Sequence, residues 1–155
     1  MSVNTATGPG AGAAVRGAGA LAAGPAEPEG RSGNEDRDWV ERAAGAPRLL
    51  FVENRVREGD RAGEPDGFRS DAVTQVLMGN SVVLFLVQEG VVLAVPGRDT
   101  DIDRFQREGG LLAADRFSLE EHGLAEDALR RGTRITGMDE VAGWILDPSV
   151  RVLWH

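Results

Sequence analysis

The spacing of apolar residues along the chain changes period several times, and each change marks an element. Within SVVLFLVQEGVVLAV, Ser81 to Val95, the positions Val82 to Val87 are apolar without a break. The run halts at Gln88-Glu89-Gly90 and resumes at Val91. A run with no polar alternation predicts a strand buried on both faces, as in the centre of a parallel sheet. Leu49 to Val52 predicts a first strand, Leu111 to Ala114 a third, Arg134-Ile135 a minimal one and Val150 to Trp154 the last.

Between these runs the period becomes helical. Phe68, Ala72, Val73, Val76 and Leu77 fall on one face of a helix over 68–78, and Gly79-Asn80 stops it. Thr100 to Asp103 has capping-box spacing and opens a helix to about Glu108, with Ile102 and Phe105 as its apolar stripe. Ser118 to Glu121 is a full capping box that opens a brief helix ending at Gly123. A further short helix is expected over 125–131. Met138, Val141, Ala142 and Ile145 form the face of a last helix, broken at Asp147-Pro148.

Strands alternating with helices imply an α/β fold: a three-layer sandwich with a mostly parallel sheet of four to five strands and right-handed crossovers. The folded domain is expected over 48–155. Residues 1–34 are rich in Gly, Ala and Pro and poor in large apolar side chains. Ordering them would cost about 1–2 kcal/mol of backbone entropy per residue against little burial, so a disordered tail is expected there. Residues 35–47 read as a linker or short helix, with Trp39 free to dock on the domain or on a neighbouring subunit. Arg55 to Gly67 reads as a charged loop, longer than the roughly 2–6 residues usual for such a connection.

Composition narrows the function. The formal net charge is -8, and every basic residue is arginine. That balance disfavours nucleic acid and anionic membrane as partners, since both need a basic face. No stretch approaches the roughly 20 apolar residues of a membrane span, and a cytoplasmic protein is expected. The chain has no cysteine, which excludes disulfides, thiolate metal sites and a thiol nucleophile. Two histidines, His122 and His155, make a weak metal set, so no metal or cofactor is expected.

Three stretches taken together resemble the DsrE/DsrF/DsrH-like family, whose best-known members relay sulfur as a cysteine persulfide. SVVLFLVQEGV resembles that family's second strand and following turn, and GGLLAADRFSLEEHGL its third strand, loop and helix. GTRITGMDEVAGWILDPSVRVLWH resembles its closing strand, helix and strand. The resemblance spans most of 48–155 and implies a DsrE-like sheet and assembly into homo- or hetero-oligomers with related subunits. It also implies a sulfur-bearing cysteine after the third strand, where this chain has Ala113-Ala114-Asp115-Arg116-Phe117-Ser118. A serine hydroxyl cannot take that role, because persulfide chemistry needs a sulfur that ionises near neutral pH. A member without the thiol is not itself a carrier.

Ligands of open α/β sheets sit beyond the C-terminal strand ends. Candidate ligand- or partner-binding residues there are Asn54, Gln88, Glu89, Gly90, Asp115, Ser118 and His122, with Gly90 permitting close backbone approach. A plainer account makes Ser118 a helix cap, Asp115 a loop residue and Gln88 to Gly90 a polar turn. Arg130, Arg131 and Arg134 are either an anion site or cations offsetting a helix dipole, and the second account is preferred. Val91 to Val95 is either packed in the core or covered by another subunit; the resemblance favours the subunit. The expected function is a non-catalytic, DsrE-like oligomeric interaction subunit, with a link to sulfur or redox metabolism. The alternative is a small-molecule-binding α/β domain with its site at the strand ends. An enzyme using Asp115 and His122 as acid and base ranks last, because no nucleophile with an activating base is evident.

Overall fold

The computed structural model describes residues 47–56 and 67–155. The expected tail, most of the linker with Trp39, and residues 57–66 of the first loop lie outside the described residues.

The apolar runs form the strands they predict. β1 is Leu49–Glu53, β2 Val82–Leu86, β3 Leu111–Asp115, β4 Arg134–Thr136 and β5 Arg151–Trp154. They make one five-stranded sheet in the order β4-β3-β2-β1-β5, with every pairing parallel. β2 occupies the centre with all five residues buried, which is why its sequence carries no polar alternation.

Among the described residues, four α-helices link the strands. α1 is Gly67–Leu77, α2 Thr100–Arg107, α3 Arg116–Glu121 and α4 Met138–Leu146. Side chains of a strand alternate between the faces of a sheet, so one sheet feeds two cores. Phe51, Leu84, Leu86 and Leu112 meet Ala72 and Val73 of α1, Ile102 and Phe105 of α2, and Leu119 of α3. Leu50, Val52, Val83 and Phe85 meet Val141, Trp144 and Ile145 of α4 on the opposite face. The result is the expected three-layer α/β arrangement.

Several local expectations are corrected. The two capping boxes are each displaced toward an earlier aspartate. Asp99, not Thr100, caps α2, its Oδ1 accepting from the Ile102 N–H at 2.8 Å. Asp115, not Ser118, caps α3. An ionised carboxylate at the N-cap both accepts the free N–H and complements the helix dipole, so it outcompetes the neighbouring hydroxyl. The expected helix over 125–131 shrinks to a 3-10 turn at Glu126–Ala128. Leu77, expected on the buried face of α1, is 54% exposed at the helix end. Trp154, on the edge strand β5, is 59% exposed.

The segment after β2 also differs. Gln88–Ala94 coils into a 3-10 helix, and Val91, Leu93 and Ala94 are buried in the chain's own core. Burying a valine or leucine contributes about 1.5–3 kcal/mol. These apolar residues therefore satisfy the fold itself, where the resemblance favoured a subunit contact.

Candidate functional site

The C-terminal ends of β1, β2 and β3 open onto a cleft of about 460 Å³. The wall continuing from β1 carries Asn54, Arg55 and Val56. Gln88 and Glu89 follow β2, and Glu121 and His122 close the far side at the end of α3. Four candidates named from the sequence, Asn54, Gln88, Glu89 and His122, therefore share one cleft. The other three lie beneath or beside it in supporting positions.

Ser118 and Asp115 tie the strand ends together. The Ser118 hydroxyl donates to Asp115 Oδ2 at 2.7 Å, and the Ser118 N–H donates to the same oxygen at 2.9 Å. The Gln88 N–H in turn donates to Ser118 Oγ at 2.9 Å. Both Asp115 and Ser118 are buried. Asp115 Oδ2 and Ser118 Oγ are engaged in fixing the turn after β2 against the cap of α3, and of the pair Asp115 and His122 only His122 lines the cleft.

Gln88 adopts φ 54°, the left-handed region that a residue with a side chain seldom enters. Such strain persists where the surroundings over-determine the backbone. Here the constraint comes from both sides: Ser118 holds the Gln88 N–H, and Val87 donates to the Glu53 carbonyl at 3.0 Å. Gly90 completes the turn. A Cβ there would lie 2.3 Å from the Glu53 carbonyl oxygen, so the close approach expected of this glycine is made to β1 rather than to a ligand.

Below the cleft runs a buried charge network that sequence reading missed. Glu53, the last residue of β1, is fully buried. Arg69 of α1 contacts Glu53 Oε2 at 3.3 Å and Asp99 Oδ2 at 2.9 Å. His155 Nδ1 lies 3.2 Å from both Glu53 carboxylate oxygens, and its ring stacks on Phe68 at 5.0 Å. Burial pushes the Glu53 carboxyl above its ordinary value, a rise opposed by His155, by the Arg55 N–H and by Arg69. Arg130 is also buried. It pairs with Asp103 and donates to the carbonyls of Leu93 at 3.1 Å and Asp99 at 2.9 Å. Burial lowers its pKa and Asp99 opposes the shift. Arg134 pairs with Glu140 at 2.8 Å. Arg130 and Arg134 are thus committed to structural pairs rather than forming an anion site or a helix-dipole cap. Arginine at a helical position otherwise reads as a solvated face; the one hint was Glu53 at the end of an apolar strand.

Neither histidine belongs to a metal-binding cluster among the described residues, where no group of three or more His, Asp and Glu has that geometry. No helix among them is long and apolar enough to cross a membrane.

No protein-family profile and no curated protein sequence matches the chain. Solved structures do. The ychN protein from E. coli is similar over 69% of this chain and 97% of its own, with a TM-score of 0.55 and 15% identity. The conserved protein of unknown function BT1422 from Bacteroides thetaiotaomicron is similar over 70% of this chain and 95% of its own, with a TM-score of 0.56 and 16% identity. At these identities the likeness concerns the fold alone: the chain shares with these two proteins an α/β architecture built on a parallel sheet.

Proposed function

We propose that the protein is a small-molecule-binding α/β domain whose site is the cleft beyond β1, β2 and β3. One observation carries the reading: polar residues from three separate parts of the chain line that cleft, and its charged side chains are uncommitted. Among the described residues, the side chains of Arg55, Glu89, Glu121 and His122 make no ion pair or hydrogen bond. The Asn54 Oδ1 on the same wall is buried without a hydrogen-bond partner there. Native structures seldom leave such an acceptor unmatched. The strained Gln88 turn is consistent with a backbone held in place for binding. The location agrees with the general rule for open parallel sheets.

The test is a titration of the ¹⁵N-labelled full chain with a panel of polar metabolites, read by amide shifts. At least one compound is expected to perturb residues 54–56, 88–90 and 121–122 together. A panel that leaves those resonances still, or moves only residues at the opposite pole, refutes the reading.

A second reading, the oligomeric interaction subunit, draws on exposed apolar side chains at the same pole. Phe117 of α3 is 65% exposed, and Met138 and Trp154 are also exposed. An aromatic residue in water at a strand end suits a partner surface. In either reading a chain without cysteine does not itself carry a persulfide, and the proposed tie to sulfur or redox metabolism would run through a thiol-bearing relative. Light scattering distinguishes the readings: a monomer unaffected by Phe117→Ser removes the subunit account.

A further inference from the structure

The charged groups in the cleft are segregated, and their order follows from the sheet. Strand order places β1 on one side of β2 and β3 on the other. Arg55 continues from β1, so its guanidinium belongs to one wall. Glu121 and His122 end α3, which follows β3, so they belong to the opposite wall, with Glu89 after the central β2. The cleft is therefore polarised, with a fixed cation at one end and two carboxylates toward the other. These opposite charges do not neutralise one another, because none of the four side chains is paired among the described residues.

Ligand classes fare differently in such a cleft. An anion would meet Arg55 but also two carboxylates, on a chain whose net charge is -8. A simple cation would satisfy the carboxylates and leave Arg55 repelled. A neutral molecule would desolvate all of these charges without pairing them, which is costly. A ligand bearing both signs pairs each end with its opposite. Val56 adds an apolar contact and Asn54 an amide on the Arg55 wall, and Gln88 supplies a second amide beside Glu89.

We infer that the cleft takes a small zwitterion of the amino-acid class, its carboxylate against Arg55 and its ammonium against Glu121 and Glu89. This rests on the cleft being the binding site, as proposed above. Charge-assisted hydrogen bonds at both ends fix the direction of the ligand as well as its affinity.

A matched trio of probes tests it: L-leucine, 3-methylbutylamine, which lacks the carboxylate, and 4-methylpentanoate, which lacks the amine. Each is titrated into the ¹⁵N-labelled full chain at low ionic strength. Leucine is expected to shift residues 54–56, 88–90 and 121–122 with a Kd about tenfold below that of either truncated probe, as expected for loss of one charge-assisted contact. Arg55→Gln should bring leucine down to the amine's affinity, and Glu89→Gln with Glu121→Gln to the acid's. All of these positions except partly buried Asn54 and Val56 and buried Gly90 are exposed, and the amide spectrum of each variant reports its folding. Equal binding of the three probes, or a response in which the variants act alike on all of them, overturns the zwitterion while leaving the cleft. Silence toward the trio with a response to the wider panel does the same. Silence toward both removes the cleft as well.

Discussion

Replacing Gly90 by alanine adds one methyl group where the main chain has left no room. The new Cβ would stand 2.3 Å from the Glu53 carbonyl oxygen and 3.0 Å from its carbon. Neither atom is the end of a flexible side chain. To reach even the 3.0 Å lower limit of real Cβ contacts, the oxygen contact must open by roughly 0.7 Å. That carbonyl also accepts the Val87 N–H at 3.0 Å, so moving the turn stretches the hydrogen bond that ties it to β1. Overpacking costs about 1–3 kcal/mol and the weakened bond about 1, for a total of about 2–4 kcal/mol. For a chain of 155 residues this is a fall in melting temperature of about 4–16 °C. Thermal and urea denaturation give the measurement, and Gly143→Ala supplies the comparison. Gly143 sits inside α4 with nothing within 4 Å of its would-be Cβ, so alanine there should stabilise by about 0.5–1 kcal/mol through helix propensity. If Gly90→Ala melts within about 1 °C of the parent, the close packing of this turn on β1 is refuted.

The buried charges give two more predictions. Arg69→Leu leaves Glu53 and Asp99 without their shared cation and should cost about 3–5 kcal/mol in urea denaturation. Adding Glu53→Gln should recover part of that loss, and full additivity of the two changes would show that they are uncoupled. The pH dependence of Glu53 has a definite sign. Its carboxyl is raised by burial above the ordinary 4.5, so the folded protein holds this proton more tightly than the unfolded chain does. The corresponding stability is fully present below about 4.5 and is lost as pH rises through the folded value. The stability of the parent relative to Glu53→Gln should therefore decline as pH increases from 4.5 toward neutrality, and a gap that widens in the parent's favour contradicts the assignment.

Elements whose signal is burial were legible in the sequence. Val82 to Val87 declares a central strand because a run apolar on both faces has few other homes, and Val141 and Ile145 declare the helix that covers the second face, although Met138 on the same stripe is exposed. The location of the cleft was legible too, since strand order and direction place the residues after each apolar run at one pole. What escaped was side-chain partnership across the fold. Arg69 and Glu53 are sixteen positions apart and His155 lies another 86 beyond Arg69, and nothing local announces that the three converge. The caps slipped to Asp99 and Asp115 because spacing rules score a Ser or Thr start without weighing an aspartate just upstream. The 3-10 coil at Gln88–Ala94 escaped because a short apolar run looks alike whether it extends or coils inward.

The last strand pairs with the first. β5 lies beside β1, and the Glu53–His155 contact closes a span of 102 residues. Native pairing along that side of the sheet thus waits until every other strand has been synthesised. Until then β1 presents an open flank of backbone donors and acceptors to any passing extended chain. Contacts so distant in sequence slow the search for the native state. On the ribosome, the vulnerable interval for this sheet lasts from the emergence of residues 49–53 until residues 151–154 follow.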